Sequence, residues 1–127
     1  MTLQNMIDYC LEKKGAYLDF PFGPECAIIK VKAQSQKKGR VFAQIFNLKG
    51  ADVATFNCTA EMGLVYRQKY PDKVVRGWHC PPVMQPYFNT VSFNVVPDDE
   101  IYKMADQSYE VVFAKLPKAK QKEILDS

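Results

Sequence analysis

A chain of 127 residues with 47% hydrophobic and 24% charged side chains has the size and make-up of one soluble globular domain over residues 1–127, too short for a second core and too apolar for a disordered chain. Its 17 basic and 14 acidic side chains leave a net charge of +3, which permits nucleic-acid binding without demanding it. No apolar run approaches the roughly 18–20 residues of a membrane span, and Asp8 falls where a signal peptide would be apolar, so the expected location is the cytoplasm, with no membrane partner.

In chain order, Thr2 is a suitable N-cap for a first helix whose apolar residues Leu3, Met6, Ile7, Cys10 and Leu11 recur at three-and-four spacing. Gly15 closes it. The Phe20-Pro21-Phe22-Gly23-Pro24 segment cannot continue a helix and reads as a rigid aromatic turn. Three strands are expected over 27–32, 40–47 and 52–58, joined by short links at 34–39 and 48–51 of the length used in antiparallel hairpins. Thr59 then caps a second helix with an expected inner stripe of Met62, Val65, Tyr66 and Tyr70, stopped by Pro71. Residues 74–78 and 90–95 read as two further strands.

Between and around those two strands, residues 70–91 hold the only Trp (Trp78), the only His (His79), Cys80 and four of the eight prolines. This concentration marks an irregular, proline-stiffened loop, the kind of segment that often carries the function of a small domain. A last helix opens at Pro97-Asp98-Asp99-Glu100, where three acids sit on the positive end of the helix dipole. Its inner face would be Ile101, Met104, Ala105, Ser108, Val112 and Leu116, with the small Ser108 allowing a close approach to the sheet. Pro117 ends it, leaving residues 117–127 as a basic tail in which Ile124 and Leu125 could add a short turn. The order α-β-β-β-α-β-β-α with short links implies an α+β two-layer sandwich, a largely antiparallel five-stranded sheet with helices on one face.

Enzymatic motifs are missing: there is no Gly-x-Ser-x-Gly, no phosphate-cradling glycine loop and no His-Glu-x-x-His. Cys10, Cys26, Cys58 and Cys80 are unevenly spaced without a C-x-x-C pair and are expected to be free, mostly buried thiols. One histidine excludes a multi-His metal site. The expectation is a protein without catalytic residues, cofactor or metal.

Several segments carry a family pattern: Tyr9-Cys10, Gly15-Ala16-Tyr17, Phe20 to Glu25, Tyr70-Pro71, Gly77-Trp78-His79, Asn89-Thr90-Val91, and the run from Ser108 to Lys118 that closes on Ala-Lys-Leu-Pro-Lys. The chain resembles the MmcQ/YjbR family of small bacterial proteins over nearly its whole length. The resemblance implies a fold similar to the type III secretion chaperones, also described as CyaY-like, and a DNA-binding label without an agreed catalytic activity. One departure stands out. Where members commonly carry basic and polar residues after the Gly-aromatic-His triplet, this chain has the apolar Cys80-Pro81-Pro82-Val83-Met84-Gln85-Pro86, a poorer phosphate contact.

DNA binding needs a basic surface. The candidates are Lys37, Lys38 and Arg40, together with Lys30 and Lys32, around the first hairpin, Arg76 beside the loop, and Lys115, Lys118, Lys120 and Lys122 near the end, gripping duplex DNA weakly and without sequence preference. Trp78, His79, Tyr87, Phe88 and Asn89 form the expected contact surface of the loop. From a different class comes a chaperone-like protein-interaction module, homodimeric or client-binding, using the uncovered sheet face, to which Ile28, Phe42 and Phe46 could point. A third reading places a small-ligand crevice between the loop and the Phe20-to-Pro24 turn.

Overall fold

The structure, a computed structural model, describes residues 1–78 and 80–127. Its elements are α1 (Leu3–Leu11), β1 (Ala16–Asp19), β2 (Cys26–Val31), β3 (Arg40–Leu48), β4 (Ala51–Asn57), α2 (Ala60–Lys69), β5 (Val74–Arg76), a 3-10 turn (Gln85–Tyr87), β6 (Phe88–Ser92), α3 (Asp98–Phe113) and α4 (Lys118–Leu125). All strand pairs are antiparallel, in the order β1-β2-β3-β4-β6-β5. The α+β sandwich is as expected, but the sheet has six strands rather than five. The additional one, β1, is an edge strand of only four residues after Gly15, too short to display an alternation.

Register separates the two faces of the sheet. Ala27, Ile45, Ala54, Val91 and Val74 lie across from one another through successive pairings and belong to one apolar core with Met6, Cys10, Tyr66, Ile101, Met104, Val112 and Ile124 from the four helices. The opposite face presents Gln44, Phe46, Thr55, Thr90 and Val75. Helix α1 starts as the sequence implies, with Thr2 Oγ1 accepting from Asn5 N–H and the Asn5 side chain accepting from Thr2 N–H. Helix α3 buries Ile101, Met104, Ala105, Ser108 and Val112, the three-and-four pattern of its sequence.

Between Ile29 and Lys30 the β2–β3 ladder skips Phe42, a β-bulge, and the β3–β4 ladder begins only at Ala43–Phe56. Ser108 fills the gap: its hydroxyl donates to Phe42 O and accepts from Asn57 N–H at 2.8 Å. The Phe42 ring packs edge-on against Tyr109 of α3 at 5.3 Å between centroids.

Several expectations are corrected. Phe42 faces the helices and Ile28 is buried, so of the three residues expected on the uncovered face only Phe46 remains half-buried there. Helix α2 buries Gly63 and Tyr66, while Met62, Leu64 and Val65 are exposed. Its inner face is chosen by close approach at Gly63, not by its apolar residues. Strand β5 stops at Arg76, short of Trp78, while β6 runs from Phe88 to Ser92, starting and ending earlier than expected; beyond Arg76, Gly77 N–H still donates to Phe88 O at 2.8 Å, carrying the pairing into the expected loop. The basic tail is a full helix, α4, anchored by the buried Ile124. No helix among the described residues is long and apolar enough to cross a membrane.

Candidate nucleic-acid interface

An antiparallel sheet sorts its strand ends into two sets. Here Ala16 pairs with Val31, Val31 with Arg40, Asn57 with Phe88 and Arg76 with Asn89, so all these residues lie at one end. That end carries the 34–39 link, Arg76, the proline-rich segment and, through α3, the Lys115-to-α4 region. Asp19, Asp52, Asp72, Asp98, Asp99 and Glu100 lie at the other end. The hairpin and tail lysines therefore share one end of the strands, where Glu123 and Asp126 of α4 also lie, while Lys49, Lys73 and Lys103 lie with the acids at the other.

The hairpin link and α4 are fastened together. Ser35 donates to Glu123 through its hydroxyl at 2.6 Å and its N–H at 3.0 Å, and Lys120 Nζ donates to Ser35 Oγ at 2.6 Å. These bonds hold the Glu123 carboxyl below the usual carboxylate range. Lys14 Nζ donates to Leu125 O at 3.0 Å, tying the end of α1 to the same helix. Lys37, Lys38, Arg40, Lys118 and Lys122 are exposed around this junction and form no ion pair among the described residues. Paired cations sit elsewhere: Lys13 with Asp106, Lys69 and Lys103 with Glu100, and Lys30 with Asp19 at 2.9 Å, which removes Lys30 from the candidate cluster.

Helix α4 sharpens the imbalance. Its N-cap, Pro117, supplies no side-chain hydrogen bond, its first turn has no acid, and Lys118 and Lys120 sit where the dipole is already positive. A phosphate there would relieve two repulsions. Arg76 shares this end but stands three strands away from β3, about 14 Å at normal strand spacing.

The loop residues divide. Trp78 turns to the uncovered sheet face, its backbone N–H donating to Thr90 Oγ1 at 3.0 Å and its ring 6.0 Å from Phe46. With Phe22, Cys26 and Gln44 these two rings line a crevice of about 330 Å³, between the aromatic turn and the loop. Tyr87 and Phe88 instead line a larger cleft of about 400 Å³ with Met84, Cys58, Val111 and Lys115. Asn89 is buried and takes no part in a surface; its amide accepts from Arg67 Nη1 at 2.6 Å and donates to Gly63 O at 3.2 Å, joining β6 to α2. His79 lies outside the described residues.

The thiols are poor nucleophiles. Burial pushes Cys10 up to about 12 and Cys58 up to about 11, and raises Cys26 and Cys80 as well. All four are free. Among the described residues no group of three or more His, Cys, Asp or Glu side chains is placed to hold a metal ion.

The sequence showed each set of lysines but not their meeting point. Nor did it show that Lys115 and Tyr87, 28 positions apart, line one cleft; no local pattern reports such an arrangement.

An open-faced antiparallel sandwich with a basic end defines the class of this protein. The YjbR family model matches residues 11–111, and the chain belongs to that family. A Deinococcus radiodurans protein described by the family-model domain DUF419 superimposes with a TM-score of 0.85 at 26% identity, over 97% of this chain and 87% of that one. A Pseudomonas syringae protein gives a TM-score of 0.69 at 18% identity, over 88% of this chain and 99% of that one, a likeness of fold alone. No curated protein matches significantly.

Proposed function

We propose that this YjbR-family chain is a non-catalytic, cytoplasmic DNA-binding protein that grips the duplex backbone weakly and with little sequence preference through the basic end of its sheet. The observation that carries this reading is the Ser35–Glu123–Lys120 junction, which holds the Lys37/Lys38/Arg40 hairpin against the lysines of α4. Two cationic segments held at a set separation can meet phosphates without ordering a flexible arm first. Phosphate contacts position a protein but read no bases, hence the weak sequence preference.

Anisotropy of a labelled duplex tests it. With about four or five phosphates neutralised, affinity should fall roughly a hundred- to several-hundred-fold between 50 and 200 mM salt. Replacing Lys37, Lys38 and Arg40 by alanine should make the log–log salt slope shallower by about 2–3. No binding at ~50 mM salt, or binding indifferent to salt and to the triple variant, would end the proposal.

A second reading, a protein-interaction module, is favoured by the crevice on the uncovered face, where Phe22 is 79% exposed beside Phe46 and Trp78. Apolar rings on an open sheet face are a common basis for association. In that case light scattering should show a dimer that Phe46→Glu dissolves; a monomer at every concentration, with no partner recovered, goes against it.

A further inference from the structure

The cleft at the basic end differs in kind from a phosphate grip. It lies between the N-terminal end of α2, the C-terminal half of α3 and the 3-10 turn, with a volume of about 400 Å³, the lower part of the range for small-ligand pockets. Its walls are apolar and aromatic at Met84, Tyr87, Phe88 and Val111, and Lys115 sits at the same opening. Tyr87 is 50% exposed and Met84 44%, although both lie in well-anchored backbone. Cys58 N–H donates to Tyr87 O at 2.9 Å, Tyr87 N–H to Met84 O at 3.0 Å, and Gln85 Nε2 to Cys80 O at 3.0 Å. A planar ring is thus held half out of the protein on a short proline-stiffened turn, and the cleft it lines also carries one cation, Lys115.

We propose that this cleft receives an unstacked base of single-stranded nucleic acid. The base lies against the Tyr87 ring among the apolar walls, and Lys115 meets the adjoining phosphate. The idea rests on the DNA-binding reading and deepens it: the basic junction supplies backbone attraction, and the cleft adds a contact that a paired, stacked base cannot make. Base–aromatic stacking is tolerant of base identity, since every base has a π-face. Lys115 leads through Leu116 and Pro117 into Lys118 and Lys120 at the start of α4, so the cleft and the junction are joined by a short lysine-bearing segment of chain. The Glu110 carboxylate belongs to the adjoining groove of about 210 Å³ with Met62 and Gln107, which sends the phosphate to the Lys115 side.

Anisotropy titrations at ~50 mM salt with a labelled 12-nucleotide oligothymidine and with a 12-base-pair duplex decide it. The single strand should bind at least about fivefold more tightly. Tyr87→Ala should abolish that preference, and Tyr87→Phe, which keeps the ring, should retain it. Because Tyr87 is half exposed, the variants should fold, as circular dichroism melts will register. Equal affinity for the two forms, or a preference that survives Tyr87→Ala, overturns the inference and leaves the duplex reading standing. No binding of either form overturns the reading on which it rests.

Discussion

Replacing Ser108 by alanine is expected to cost about 2–5 kcal/mol of folding stability, far more than the loss of one small side chain suggests. Ser108 is 0% exposed, and its hydroxyl serves two backbone groups, the Phe42 carbonyl at the bulge and the Asn57 N–H at the end of β4. Removing it strands both, and a buried backbone group left unsatisfied costs about 1–3 kcal/mol. In a chain of this length that loss lowers Tm by roughly 10 °C or more. Urea unfolding followed by circular dichroism measures it, with Ser92→Ala on the half-buried far end of β6 as a control expected to change little. A loss under about 0.5 kcal/mol would mean that the two groups find other partners and that α3 is not pinned to the bulge.

Gly63→Ala is expected to destabilise by about 1–3 kcal/mol, against the usual direction. Alanine in a helix interior is normally better than glycine by about 0.5–1 kcal/mol, and Gly63 lies within α2. A Cβ there, however, would stand 2.7 Å from Cys58 Sγ, 2.9 Å from Arg67 Nη1 and 3.2 Å from the Pro86 carbonyl oxygen. Arg67 has a flexible end, but it is held by Asn89; Cys58 is buried and Pro86 O is backbone. Relieving this overpacking requires the Cys58 side chain, the Arg67 end and the 3-10 turn to shift away from α2. The same shift would displace Tyr87 and weaken single-strand binding. In a Cys58→Ala background the Gly63→Ala penalty should shrink, a coupling that a double-mutant cycle reads directly. A neutral or stabilising Gly63→Ala would show that α2 and the turn are not in contact in solution.

These two residues also show how far local pattern reaches. Ser108 was legible as a small residue on the inner face of α3, since the three-and-four recurrence of Ile101, Met104, Ala105 and Val112 places it there. Its two hydrogen bonds were not, because they depend on a bulge in β3 some 66 positions earlier. For α2 the apolar residues themselves misled: Met62 and Val65 look like a core stripe but are exposed, since the fit at Gly63 against Cys58 and Pro86 sets the rotation of the helix. The loop was legible as a place, through its prolines and rare aromatics. Which side of the sheet each ring takes was not, because Gly77 pairs with Phe88 and the chain then crosses from the open face at Trp78 to the helix side at Tyr87.

Turn residues, caps and apolar periods act within about ten positions, so the sequence by itself determined most of the elements of this protein, their order, and the α+β class that such an order allows. The meeting of the hairpin with α4, the inward turn of Asn89 and the placing of Tyr87 and Lys115 on one cleft were decided only by the tertiary structure. Each depends on strand order and register, which bring together residues as far apart as Ser35 and Lys120, and no local preference of either residue encodes that meeting.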